Sequence, residues 1–492
     1  MNQSILHKLQ RITWYLLIAS LPLTSMPLVK KILDSDSVAS PAIIFGVILF
    51  FMLMAGLVFK EKILVSKRSL PLSLFSGVAI IASLLSFFMH VPAFKGIRQL
   101  DPMISATATL GIGFLFFSIA SSYPVNSDIR KKTLKLINWT GLIILIWCTL
   151  QAIAWYGSNH YPQWMFEVQG ALSARVLYRQ RVTGFALEPS WLAHQLNMLY
   201  LPLWLSATLI GHSSHSFKLK KISFENLLLA GGMLILALTL SRVGFAAFLC
   251  MAALAIVLIH RHIVSAINTW VNGKQKIRIK LNRKSISLII IILYALMVIF
   301  FIFIYSRVDP RMANLFKFSF NQDNPLLRYF NQLKFGDRVV YWLTGWNIFN
   351  EYPILGVGLG NAGFYFPKNI PAYGWSLLEV RRLLYRSQLL MNVKSLWFRL
   401  LAETGIIGFS LFIGWIISLL DNFADKYKSA EPIERTLGLA GFLVVLGLMF
   451  EGLSIDSFAM PYWWISLGLA ASSYKDRYPG LEKSDNKNGT AA

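Results

Sequence analysis

The sequence predicts an all-α polytopic membrane protein, with about twelve transmembrane helices and one large outer segment bearing amphipathic helices. Hydrophobic residues make up 55% of the 492-residue chain and mean hydropathy is +0.55, above the range of soluble domains. Apolar runs of the roughly 17–25 residues needed to span a bilayer recur from end to end. Basic residues gather in alternate short loops rather than spreading evenly.

The runs lie near Thr13–Val29, Pro41–Phe59, Leu70–Met89, Met103–Ser121, Leu134–Tyr156, Pro189–Ile210, Phe224–Leu240, Val243–Ile259, Ser287–Ser306, Ser395–Leu420, Leu437–Phe450 and Phe458–Ser473. The first has no small-residue cleavage site and contains Pro22 and Pro27, so a retained helix is expected rather than a signal peptide. Residues 1–306 then hold the first nine spans with an outer loop at 157–188, residues 307–394 form the large outer segment, and residues 395–473 hold the last three spans. The polar tail 474–492 reads as a disordered cytoplasmic extension.

Orientation follows from the cations. Lys60, Lys62, Lys67 and Arg68, then Arg130, Lys131 and Lys132, then Lys218, Lys220 and Lys221 fall on the side of Lys8 and Arg11. The loop Arg261–Lys284 continues the series with Lys274, Lys276, Arg278, Lys280 and Arg283. The positive-inside rule places both termini in the cytoplasm. The large outer segment is nevertheless basic too, with Arg307, Arg311, Lys317, Arg328, Lys334, Arg338, Lys368, Arg381, Arg382, Arg386 and Lys394. Long translocated segments escape the rule, so this charge needs a partner outside. Anionic lipid headgroups and a phosphate-bearing substrate both fit; no nucleic-acid partner is expected.

In "DRVVYWLTGWNIFNEYP", Val339, Leu343, Trp346 and Phe349 or Asn350 recur at helical spacing. "LLEVRRLLYRSQLLMNV" sets Leu377, Leu383, Leu384 and Leu390 opposite Arg381, Arg382 and Arg386. Each fits a helix lying on the outer leaflet or roofing a cavity, and each apolar face fits plain packing equally well. Between them "GVGLGNAGF" carries a formal G-x-G-x-x-G at Gly358, Gly360 and Gly363. No βαβ context surrounds it, so a glycine-permitted turn is expected and no nucleotide site. Asp34-Ser35-Asp36 reads as a solvated loop before a metal site. Cys148 and Cys250 lie inside apolar runs with no disulfide or metal framework. No cofactor or metal is expected.

The polar residues at helix mouths are the candidate site. In "RVTGFALEPSWLAHQLNML", Arg181 precedes the apolar run, Glu188 sits where a helix dipole tolerates an anion, and Pro189 fits the first turn. His194 and Gln195 follow within two turns and are expected to face the bundle interior. "TLSRVGF" places Arg242 at the outer tip between two helices. "NVKSLWFRLLAETGIIG" places Lys394 at a helix mouth and Glu403 about two turns inside. A carboxylate within a membrane run is a functional candidate by default.

Together, "RVTGFALEPSWLAHQL", "TLSRVGFAAFL", "RVVYWLTGWNIFNEYPILGVGLGNAGF" and "LWFRLLAETGIIGFSLF" resemble, in order, the signature segments of the O-antigen ligase and polymerase superfamily. The resemblance runs from Arg181 to Trp415 in motif and over the whole chain in topology. It implies an enzyme of the bacterial inner membrane that transfers glycan from an undecaprenyl-diphosphate carrier at the periplasmic face without a nucleotide sugar. It also implies an architecture like that of the multi-spanning glycosyltransferases. Arg181 and Arg242 resemble the family's functional arginines, and Arg338 matches the one opening its outer amphipathic helix. Fixed guanidiniums would stabilise the charge that develops on a departing lipid diphosphate. The family's ligases carry a His-Asn-like pair where this chain has Lys394-Ser395, and lysine is a poor general base at neutral pH. Glu188 and Glu403 remain as acids to take the acceptor's proton.

"EPSW" at Glu188–Trp191 resembles repeat-unit polymerases more than ligases. The expected function is therefore repeat-unit polymerisation of O-antigen or exopolysaccharide. Ligation of finished polymer to lipid A-core or another acceptor is the runner-up, and solute transport the third reading. The substrates are an undecaprenyl-diphosphate-linked oligosaccharide and an acceptor glycan or glycolipid, with Arg181, Arg242, Trp342, Trp346 and Arg382 as binding residues. A chain-length regulator or a flippase would be a further partner. Trp342, Trp346, Tyr365, Phe366, Tyr373 and Trp375 supply rings on which sugars could stack.

Overall fold

Proline breaks the first expected span. Thr13–Val29 is two helices, α1 (Gln3–Ser20) and α2 (Pro27–Leu33), because Pro22 and Pro27 lack the amide a continuing helix needs. Pro27 instead opens α2, where the missing donor costs nothing. The turn between them is pinned: Ser25 bridges Ala39, and its carbonyl accepts from the Ala174 amide at 2.7 Å.

The computed structural model describes residues 3–35, 39–59, 66–124, 126–220, 222–273, 282–308 and 335–472. Expectations for Asp36, Lys60, Lys62, Lys221, Lys274, Lys276, Arg278, Lys280, Arg311, Lys317, Arg328, Lys334 and the tail lie outside these residues. The chain continues through α3 (Pro41–Gly56), α4 (Ser69–Leu85), α5 (Leu100–Ser122), α6 (Ser127–Ser158) and α7 (Gln163–Leu172). Next come α8 (Pro189–Gln195) and α9 (Leu201–Ile210), joined by a π turn at Leu196–Tyr200. A two-residue hairpin pairs Lys218 with Ser223 ahead of α10 (Phe224–Leu238), α11 (Arg242–Gly273) and α12 (Arg283–Val308). The outer segment supplies α13 (Gly336–Glu351), α14 (Ala362–Asn369) and α15 (Leu378–Tyr385); α16 (Leu396–Tyr427), α17 (Pro432–Glu451) and α18 (Pro461–Ala471) follow.

Among the described residues, seven helices are long and apolar enough to cross a membrane: Pro41–Phe59, Ser69–Phe88, Leu100–Ser122, Ser127–Ser158, Arg242–Trp270, Leu396–Tyr427 and Pro432–Glu451. The expected run Phe458–Ser473 is only the 11-residue α18, buried along its whole length. Trp464 within it meets Trp415, and Trp415 meets Phe117 and Phe412, at the centre of the bundle. A helix walled in by protein need not match the bilayer's thickness, since neighbours rather than lipid surround its ends. Away from this core, Glu434 on α17 pairs with Arg130 on α6 and, at 3.3 Å, with Lys426 on α16. Lys426 also donates to the carbonyl of Ser472 after α18.

Gly405 breaks α16 with φ 61° and ψ −166°. The loop after α13 fills the break. Amides of Ile406 and Ile407 donate to carbonyls of Pro353 and Ile354 at 2.8 and 3.3 Å, while amides of Val357 and Gly358 donate to carbonyls of Ala402 and Glu403 at 2.9 Å each. Backbone groups released by the break thus find partners inside the protein, as membrane burial demands. The glycine-rich stretch is the expected turn. Gly360 holds φ 78°, and a side chain there would lie 2.3 Å from the Pro102 carbonyl oxygen.

The outer segment has its own core, where Val340, Tyr341, Val357, Phe364, Val380 and Val393 meet. Here the amphipathic reading needs correcting in detail. On α13 the buried face is Val340, Tyr341, Thr344, Gly345 and Ile348; the expected stripe through Leu343 and Trp346 is exposed. Gly345 explains the choice, because its missing side chain lets α13 approach Val393 and Phe398. The second stretch stays helical only through Leu378–Tyr385, burying Val380 and Leu384. Tyr365 and Phe366 are core residues, 1% and 0% exposed, so neither can stack on a sugar.

Candidate functional site

The strap Gly452–Met460 between α17 and α18 organises one end of the bundle. Its Ser454 carbonyl accepts from Arg338 Nη1 at 3.0 Å, and its Asp456 carbonyl from Arg399 Nη1 at 2.7 Å. The Asp456 carboxylate accepts the Lys394 amide at 3.2 Å. The Gly452 carbonyl receives the Leu396 amide at 2.7 Å and Ser395 Oγ at 3.0 Å. Two guanidiniums, from α13 and α16, and the backbone of the linker before α16 are thereby drawn to one short segment.

Arg338 is the point of convergence. It enters from the first turn of α13, and Glu379, Asp456 and Glu188 all exert their charge on it. Burial lowers its pKa from the ordinary guanidinium value while these acids and Tyr341 push it back up; arginine stays a cation throughout. Arg242 lies 5.5 Å above the ring of Phe335, the residue that caps α13. Phe335 packs edge-on against Trp342, and Trp342 stacks on Phe398 at 5.9 Å. Arg181 Nε donates to the Thr239 carbonyl at 2.8 Å, so Arg181 and Arg242 flank the same turn between α10 and α11.

Glu188 caps α8 from an extended conformation, with Pro189 in the first turn as expected. Half-buried, it is held loosely: Arg175 Nη2 lies 4.0 Å from Oε1 and Ser190 Oγ 3.5 Å from Oε2. His194 and Gln195 point inward as expected, His194 Nδ1 lying 2.8 Å from Tyr462 Oη and Gln195 Nε2 donating to the Leu21 carbonyl at 2.6 Å. Glu403 sits differently. It is 4% exposed, takes Arg399 Nε at 2.9 Å and accepts a backbone hydrogen bond from Gly360. Those bonds fasten the glycine-rich loop to the broken helix.

Lys394 holds the left-handed conformation, φ 52°. Its ammonium lies 2.6 Å from Glu379 Oε1 and 4.4 Å over the ring of Tyr341, whose hydroxyl donates to the same oxygen at 3.2 Å. Burial is the largest single influence on Glu379 and raises its pKa. Lys394, Tyr341 and Arg338 together outweigh burial and hold the carboxyl below the ordinary glutamate value. A depressed acid stabilises the fold above its unfolded pKa and loses that contribution as pH falls through the folded one. Acidification below the ordinary glutamate range is therefore expected to loosen α15, read as faster hydrogen exchange there. Glu379→Gln should flatten that dependence.

Trp342 is committed to the stack, with its indole nitrogen buried and unpartnered among the described residues. Trp346, 42% exposed, and Arg382 on α15 remain at the surface. Sequence reasoning missed Asp456, Glu379, Arg399 and Glu451. Glu451 is 1% exposed and is bonded by Asn197 Nδ2 at 2.7 Å, an amide that also reaches the Gly244 carbonyl at 2.7 Å. The π turn sets Asn197 in that place, a use typical of such turns. The signal was available: the apolar run read as ending at Phe450 ends in an acid one residue later.

The fold and site define a helical membrane protein that gathers guanidiniums and carboxylates at one end of its bundle. Residues 227–413 match the family model described as O-antigen ligase, and this region belongs to the O-antigen ligase and polymerase superfamily. The match supports an O-antigen ligase-type membrane enzyme of polysaccharide biosynthesis. The match takes in Arg242, Arg338, Lys394 and Glu403, while Arg181 and Glu188 precede it. No curated protein matches the chain.

Proposed function

We propose that this enzyme transfers glycan from an undecaprenyl-diphosphate carrier at the periplasmic face of the bacterial inner membrane, as a repeat-unit polymerase. The observation that carries the reading is Arg338, bonded to the Ser454 carbonyl and within electrostatic reach of Glu188, Glu379 and Asp456, beside the turn that presents Arg181 and Arg242. When the acceptor hydroxyl attacks the sugar's anomeric carbon, the departing lipid diphosphate takes the bonding pair and gains charge. Guanidiniums already in place stabilise that charge without reorganising. Glu188 is the acid with coordination to spare and takes the hydroxyl proton, whereas Glu403 is occupied by Arg399 and Gly360. The reading takes both termini as cytoplasmic, as the positive-inside rule suggests, which would put this end outside.

"EPSW" favours polymerisation; the description of the matched family favours ligation to lipid A-core or another acceptor. Transport would use a midplane site built by broken helices, but the break at Gly405 is filled by residues 353–358. Purified protein given lipid-linked repeat units alone should build a lengthening ladder, lost in Arg242→Ala. Transfer only after a separate acceptor is added would make it a ligase, and no transfer at all would overturn the proposal. Glu188→Gln is expected to lower kcat by roughly 10²–10⁴ with donor binding retained.

A further inference from the structure

A groove of about 270 Å³ opens between α2 and α7. Lys30 and Arg175 line it together with Pro27, Phe166 and Val176, and among the described residues no carboxylate does. Its surroundings are apolar and exposed: Leu28 and Ile32 on α2, Trp164 on α7 and Val176 beyond it. Such a rim suits contact with acyl chains, and cations below it suit a phosphate at headgroup depth. The groove is tied rigidly to the site. The Ala174 amide bonds the Ser25 carbonyl, Ser173 Oγ donates to the Ala186 carbonyl at 3.2 Å, and the Leu187 amide donates to Thr24 Oγ1 at 3.0 Å. One residue further stands Glu188, with Arg175 beside it.

We propose that this groove binds the phosphate group of the second lipid-borne substrate, the acceptor. The assignment rests on the glycan-transfer reading above. Transfer between two lipid-linked molecules needs two anion sites, and the acceptor's must bring its hydroxyl to the proton-accepting acid. Glu188 is that junction: Arg175 reaches it from the groove, and Arg338 feels its charge. The acceptor diphosphate lies on Lys30 and Arg175 with its prenyl chain over Leu28, Ile32 and Trp164. The donor diphosphate lies on Arg338, Arg242 and Arg181.

The test uses purified full-length protein in nanodiscs of zwitterionic lipid. A pre-extended lipid-linked polymer serves as donor and a labelled single repeat unit on undecaprenyl diphosphate as acceptor. Lys30→Ala should raise the acceptor KM about tenfold, the scale of one charge-assisted bond, and Lys30→Ala with Arg175→Ala should raise it further. Donor KM and melting temperature should hold, and Lys30→Arg should restore the acceptor KM. An unchanged acceptor KM, in a wild-type enzyme that transfers, overturns the groove assignment. So does activation of wild type but not the double variant by added phosphatidylglycerol at constant acceptor KM, which would make the groove an ordinary phospholipid site. Absence of transfer by the wild type instead overturns the functional reading itself.

Discussion

Arg338→Ala is expected to lower kcat by roughly a hundred- to a thousandfold, the effect of removing one fixed donor from a developing anion. Its guanidinium is fixed by the Ser454 carbonyl and feels Glu188, Glu379 and Asp456 together. Arg338→Lys keeps the charge but not the planar fork, nor in full the bond to the Ser454 carbonyl, and should recover only part of the rate. The strap would lose one anchor in either variant. Melting temperature must therefore be measured alongside kcat: a collapse in rate with an intact melt is the expected pattern. An Arg338→Ala enzyme turning over like wild type would remove the centre of the proposed site.

The second large effect is on stability. Arg399→Ala should destabilise the protein by about 3–5 kcal/mol, because Glu403 is left as a buried acid without its partner and the Asp456 carbonyl loses its donor. Glu403→Gln should cost less, since an amide keeps hydrogen-bonding capacity. Replacing both, Arg399→Met with Glu403→Leu, should return most of the loss, as apolar replacements of buried ion pairs commonly do. Thermal denaturation in detergent separates these outcomes. Loss of transfer in a double variant that melts like wild type would return Glu403 to the chemistry.

The membrane class, the helical character and the turn at the glycine-rich stretch were legible in the residues. So were the inward-facing His194 and Gln195 and the Glu188–Pro189 start of α8. These depend on hydropathy, backbone preference and spacing within a few residues. The prolines at 22 and 27 were legible as well, but their effect was underweighted: together they end one helix and start another. The face of α13 was not legible. Leu343 and Trp346 form the more hydrophobic stripe, yet Gly345 decides which side can approach Val393 and Phe398.

Hydropathy measures partition between water and lipid one segment at a time, so the sequence by itself determined that this chain is a membrane bundle with cations at its helix mouths. Which charges meet was decided only by the tertiary structure. Asn197 and Glu451 are 254 positions apart, and Arg338 and Ser454 are 116 apart. The outcome separates residues of like chemistry: Lys394 is neutralised by Glu379 and Glu403 by Arg399, while Glu188 keeps only a 4.0 Å contact with Arg175 and Arg338 bonds a backbone carbonyl. A charge buried in low dielectric must be paired or abandoned, and the partner that satisfies it is chosen by packing rather than by distance along the chain.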